Sequence, residues 1–115
     1  QWREIAAYLD LNAKRGDLIL FERGWCQYPF DFYFKRTDLS EKQFLVDNKH
    51  EDTEAIPKLI STVSTYDRVW LVVWSWHNRE NKITKPFSKM YRTAYHQKYV
   101  AIELYLLIKN QGERE

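Results

Sequence analysis

The sequence predicts a small three-layer α/β domain, with a mostly parallel four-stranded sheet and helices on both faces. Three observations carry that prediction. Six consecutive apolar residues, Val69 to Trp74, are too few to span a bilayer and too continuous for a half-wet strand, so they read as a central strand buried on both faces. A second unbroken run, Leu18-Ile19-Leu20-Phe21, follows an amphipathic helix and Gly16-Asp17. Beyond these, strand-like and helix-like segments alternate along the chain, the pattern of βα units.

The elements are expected in this order. Trp2, Ile5, Ala6, Leu9 and Ala13 recur at helical spacing, with Arg3, Glu4, Asp10 and Lys14 opposite, and Gly16 stands at the expected C-terminal stop. Leu18 to Phe21 forms the first strand, followed by an irregular loop through Tyr28. Pro29 is placed to open a short helix with Phe30, Tyr33 and Phe34 inward. Phe44-Leu45-Val46 is the next expected strand. Thr53 can cap a helix that buries Ile56, Leu59, Ile60 and Val63, with Pro57 tolerated in its first turn. After the central strand, Thr84 and Pro86 open an expected helix with the apolar stripe Phe87, Met90, Tyr91, Ala94 and Tyr95. Tyr99 to Ile108 closes the fold as a strand near a sheet edge. Val100, Ile102, Leu104, Leu106 and Ile108 lie on one side of it, and Glu103, Tyr105, Leu107 and Lys109 on the other. Residues 1–109 form one domain and 110–115 a polar tail expected to fray.

Composition bounds the class. At 115 residues the chain is long enough for one real core and too short for two. An aromatic content of 17% with three Gly and three Pro argues against disorder, because such side chains bury enough surface to offset ordering entropy. The net charge of +2 defines no partner, but its distribution is uneven. Asp38 to Glu54 holds six acidic residues against two lysines, whereas His77 to Lys98 holds six Lys/Arg against one Glu. Cys26 is alone, which excludes an intramolecular disulfide. No segment approaches the roughly 18–20 apolar residues of a membrane span. Gln1-Trp2-Arg3-Glu4 enters a helical pattern at once, without a leader-like segment, as expected of a piece cut from a longer polypeptide.

Two constellations are candidates for function. The loops after the first and central strands should share one edge of a parallel sheet, where ligands of open α/β sheets bind. That would gather Glu22, Arg23, Tyr28 and Asp31 near Ser75, Trp76, His77 and Asn78. A carboxylate, an imidazole and flat aromatic surfaces suit a small glycan or metabolite; the plainer alternative is that the aromatics shield the sheet end. On the helix expected after Thr84, Lys85, Lys89, Arg92 and His96 follow the spacing of one exposed stripe. Such a stripe can meet phosphates, whether of nucleic acid or of lipid head groups, or serve only as the solvated side of the helix. Single-strand nucleic-acid binding through Tyr91, Tyr95 and Tyr99 ranks last, since most of these tyrosines are expected in the core. Other chemistries lack a signature. Ser75 is not in a G-x-S-x-G elbow, and Cys26 has no catalytic local motif. His50, His77 and His96 lack paired metal-ligand spacing, and Gly16, Gly24 and Gly112 stand singly rather than in a phosphate loop. No metal or cofactor is expected.

The segments Trp2-Arg3-Glu4-Ile5-Ala6, Arg15-Gly16-Asp17-Leu18-Ile19-Leu20-Phe21, Phe30-Asp31-Phe32-Tyr33-Phe34 and Tyr66-Asp67-Arg68-Val69-Trp70-Leu71-Val72 together carry a resemblance. The chain resembles the soluble carboxyl-terminal domain of membrane glycosyltransferases of the dolichyl-phosphate-mannose protein mannosyltransferase type, a group that includes bacterial aminoarabinose transferases. Ile102-Glu103-Leu104-Tyr105 fits the closing strand, so the likeness covers nearly the whole chain. It implies a parent with many transmembrane helices that takes a sugar from a polyprenyl-phosphate donor on the extracytoplasmic side. The catalytic acidic residues of that group sit in an early loop of the membrane portion, to which no position here corresponds. The resemblance therefore implies an accessory domain, not catalytic by itself. It would be tethered at the extracytoplasmic face of a membrane by helices outside this sequence. Its partners would be the membrane portion of the same polypeptide and anionic lipid or the donor phosphate.

Overall fold

The computed structural model describes residues 2–22, 30–31, 33–44, 59–61, 63–75 and 83–110. Helix α1 spans Trp2–Asn12, and its apolar stripe buries Ile5, Ala6 and Leu9 completely or nearly so. Gly16 adopts φ +89°, the left-handed conformation that an L side chain resists, and its N–H donates to the Asp38 carbonyl at 3.0 Å. Gly16 lies four residues past the helix end, so it turns the chain but does not cap the last carbonyls. Arg36 does that. Its guanidinium donates to the carbonyls of Ala13 (2.8 Å), Asp10 (3.2 Å) and Leu9 (3.4 Å), while Asp38 grips it through both carboxylate oxygens.

Five strands form a single sheet: β1 (Leu18–Glu22), β2 (Ser40–Phe44), β3 (Arg68–Trp74), β4 (Tyr91–Lys98) and β5 (Ile102–Lys109), in the order β2-β1-β3-β5-β4. β1 runs parallel to both β2 and β3, with Ile19 opposite Glu41 and Trp70. β5 runs antiparallel to β3 (Leu71 opposite Tyr105) and to β4 (His96 opposite Tyr105). β3 is the middle strand, and its five central residues are buried, as expected of a run that is apolar on both faces.

The period-2 alternation of the interior strands divides the core. Ile19, Phe21, Trp70, Val72, Leu104 and Leu106 face α1 together with Phe30 and Phe34. Leu18, Leu20, Val69, Leu71, Val73, Tyr105 and Leu107 face the other way, toward Val63, Ile83, Phe87 and Tyr91. Among the described residues α1 is the one main helix. On the second face the described residues include helical positions at Leu59, Ile60, Ser61 and Val63 and the 3-10 turn Lys85–Lys89.

The expected four-stranded, mostly parallel sheet with helices on both faces is therefore corrected, among the described residues, to a five-stranded mixed sheet with one main helix. The error lies between Thr84 and Lys98. Helical structure is limited to the 3-10 turn Lys85–Lys89, with Pro86 in its first turn, and Tyr91–Lys98 is a strand, hairpin-paired with β5. A β-bulge between Thr93 and Tyr95 explains why the segment reads as a helix. In a regular strand Tyr91 and Tyr95, four apart, would share a face, as they also nearly do on a helix. The extra residue, Ala94, sends Tyr91 into the core of the second face and Tyr95 onto Tyr8 of α1, where the rings stack at 4.6 Å. With β4 on the rim, β5 becomes interior rather than near-edge. β2 is also offset from expectation. It lies at Ser40–Phe44, meeting the expected strand only at Phe44, while Leu45 and Val46 fall outside the described residues. Its polar Ser-Glu-Lys-Gln run is suited to an outer strand, where charge discourages pairing with other chains.

Tyr91 joins the second face to the turn before β3. Its hydroxyl is shared between the carbonyls of Tyr66 (2.8 Å) and Val63 (3.0 Å). Burial, reinforced by the charge of Asp67, pushes its pKa up to about 12. A phenol whose folded value exceeds its unfolded one stabilises the fold fully below the unfolded value. That contribution is lost as pH rises from about 10 toward 12. Tyr91→Phe is expected to cost about 1–2 kcal/mol at neutral pH and to flatten part of the alkaline decline, read by urea titrations at several pH values.

Candidate functional site

Because β1 and β3 are adjacent and parallel, their C-terminal ends share one edge of the sheet. At that edge the structure gathers four polar side chains from three segments. Glu103 of β5 and His96 of β4 lie on the same face as Tyr105, since His96 pairs with Tyr105 and Glu103 is two residues away. Tyr105 donates its hydroxyl to Glu103 Oε1 at 2.6 Å, and His96 Nε2 lies 2.8 Å from the same oxygen. An ionised carboxylate only accepts, so Nε2 carries the hydrogen in this contact. The imidazole also stacks flat on the Tyr105 ring, 4.2 Å between centroids and 3° from parallel. Ser75, immediately after β3, lies beside this carboxylate; its N–H is fixed by the Ala101 carbonyl at 2.9 Å, while its buried Oγ has no hydrogen-bond partner among the described residues.

The charge state follows from these contacts. Burial pushes the Glu103 carboxyl up, but hydrogen bonds from Tyr105 and His96, with the His96 charge and the nearby Ser75 hydroxyl, outweigh it and hold the group below its ordinary value. A depressed carboxyl stabilises the fold above its unfolded value, and that contribution disappears as pH falls through the lowered folded value. Glu103→Gln is expected to cost about 1–2 kcal/mol near neutrality, with mutant and parent converging in acid; parallel urea curves at both pH values check it. Chemically, the group is an anionic acceptor with an aromatic wall and a half-exposed imidazole, able to hold a polar ligand by hydrogen bonds and ring contact.

Of the residues proposed for this edge from sequence, Ser75 enters the cluster. Asp31 is half-buried on the turn whose Phe30 and Phe34 pack on the α1 side, whereas the Glu103 cluster lies on the opposite face. Glu22 ends β1, and nothing of its side chain is described. Arg23, Tyr28, Trp76, His77 and Asn78 lie outside the described residues. Glu103 and Tyr105 were missed because they read as the wet side of the closing strand. Their signal was the Glu-x-Tyr spacing on one strand face, legible only once a partner strand carrying His96 is recognised.

The basic stripe does not survive as a stripe. Lys85 and Lys89 are exposed on the 3-10 turn, while Arg92 and His96 belong to β4. Arg92 pairs with Ile108, which packs on the α1 side, and His96 pairs with Tyr105 on the other, so the two point to opposite faces.

The opposite edge carries a second polar cluster, centred on Asp17, whose side chain is 4% exposed. It accepts from the Lys14 N–H (2.8 Å), from Arg68 Nε (3.0 and 3.1 Å to its two oxygens) and from Trp70 Nε1 (2.9 Å). With its acceptor sites so occupied, this carboxylate ties the helix end to the starts of β1 and β3. Among the described residues no group of His, Cys, Asp and Glu is arranged to hold a metal, and no helix is long and apolar enough to cross a membrane. No family model, curated protein or solved structure matches the chain.

Proposed function

We propose that this chain is an extracytoplasmic accessory domain of a polyprenyl-phosphate-sugar-dependent membrane glycosyltransferase, non-catalytic by itself. One observation supports the reading above the others. Two separated segments that carry the resemblance meet in the fold: Asp17 of Arg15-Gly16-Asp17 accepts hydrogen bonds from Arg68 and Trp70, 51 and 53 positions away. Gly16 beside it holds a left-handed conformation that glycine adopts without the steric cost an L side chain would bear. The contact ties two of the segments on which the resemblance rests into one structural unit.

In this role the domain helps position the acceptor or shields the membrane-embedded active site, and its partner is the membrane portion of the same polypeptide. The exposed cations Lys85, Lys89 and Arg92 are candidates to face anionic lipid, where each contributes about 1 kcal/mol near a charged surface. Since they are not on one helical stripe, not all can face the surface together. Sedimentation with phosphatidylcholine vesicles is expected to be weak and to rise with anionic lipid. Replacing Lys85, Lys89 and Arg92 by Ala should lower that binding by roughly tenfold or more. Indifference to lipid charge would remove the membrane-facing role.

A second reading, a free-standing module for a small glycan or metabolite, is favoured by the Ser75, His96, Glu103 and Tyr105 cluster at the strand ends. Titration of a sugar panel while following tryptophan fluorescence separates the two, because Trp74 adjoins Ser75; no response across the panel argues against the module.

A further inference from the structure

We propose that a cavity on the second face of the sheet, at the edge opposite Glu103, binds an amphiphile with a phosphate head and an apolar chain. The cavity measures about 620 Å³, within the range of small-molecule sites. It opens between the helical residues before β3, the 3-10 turn and the end of β5. Ile60, Pro86 and Met90 make its apolar lining, and a methionine adapts readily to the shape of a flexible chain. Ser64 and Asn110 add polar groups.

Charge selects the head group. Lys89 and Lys109 line the cavity, and no carboxylate is among its described lining residues. Lys109 Nζ donates to the Ser64 main-chain carbonyl, which fixes the ammonium while leaving further N–H donors for a ligand. Lys89 is exposed at the end of the 3-10 turn. Two ammonium point charges beside an apolar lining complement a multiply charged anion that carries a hydrocarbon chain better than either a neutral lipid or a bare ion. The inference stands on the cavity and does not require the membrane reading.

The test is titration of the isotope-labelled chain with octyl phosphate below its micelle threshold, followed by amide chemical shifts. Saturable shifts are expected at Ile60, Ser64, Met90 and Asn110, with octanol and inorganic phosphate each at least about tenfold weaker. Combining Lys89→Gln with Lys109→Gln should weaken octyl phosphate by about tenfold and leave octanol unchanged. Shifts centred elsewhere, no saturation, or octanol binding as tightly as octyl phosphate would overturn the proposal. Vesicles of phosphatidylcholine with phosphatidic acid distinguish the source. Sedimentation lost in the double variant assigns the head group to a lipid. Saturable binding in solution without vesicle binding assigns it to a free organic phosphate and counts against the membrane reading alone.

Discussion

Asp17→Ala is expected to destabilise the fold by about 3–5 kcal/mol, the usual cost of removing one partner from a buried ion pair. The substitution strands Arg68, leaves the Trp70 indole N–H without its acceptor and frees the Lys14 amide, all at the junction of α1, β1 and β3. Much of that cost is the penalty on the groups left behind, so Asp17→Ala combined with Arg68→Met should recover a substantial part of it. Urea denaturation at neutral pH with an unchanged slope reads the effect cleanly. A loss below about 1 kcal/mol would mean that solvent reaches the carboxylate freely, contrary to its burial.

Trp70→Ala should cost about as much, some 3–5 kcal/mol, for a different reason. The side chain is 1% exposed in the middle strand, and its ring meets Tyr8 edge-on at 5.9 Å and Tyr95 at 6.4 Å. Truncation opens a cavity between sheet and helix that the surrounding rings cannot collapse to fill. Trp70→Phe keeps most of the ring but loses the bond to Asp17, so about 1–2 kcal/mol is expected. Combined with Asp17→Ala, the Phe substitution should add less than it costs alone, by about 1 kcal/mol, because the shared hydrogen bond is already gone. Strict additivity would show that the two residues do not act on each other.

The parts of the fold that were legible in the sequence were those whose burial leaves a periodic mark. Helix α1 and strands β1 and β3 follow directly from spacing, as does the central position of β3, because a strand buried on both faces has to be apolar at every position. The closing strand was also visible from Ile102 onward, with the same residues on each face. β4 was not, because its bulge breaks the period of two and puts Tyr91 and Tyr95, four apart, on opposite faces. An expected helix at that place forces a parallel crossover, and from that one substitution the strand count, the edge and the sheet type all follow incorrectly. Val100, expected on the apolar side of the closing strand, sits in the β4–β5 connection and is 89% exposed.

The candidate site was legible in location more than in membership. The rule that ligands gather at the C-terminal ends of parallel strands led to Ser75, which does join a polar cluster there. His96, Glu103 and Tyr105 come from the antiparallel half of the sheet, and only cross-strand register brings them together. Spacing along the chain could place His96 relative to Lys89, but not relative to a residue on a strand whose partner was unrecognised.

Membership in a membrane glycosyltransferase is decided by sequencing the natural transcript upstream of the codon for Gln1. Several apolar stretches, each about 18–20 residues long, are expected there, with an acidic loop early among them. A short polar stretch ending at a start codon, with no such stretch, would contradict the assignment and leave the strand-end ligand module as the surviving reading.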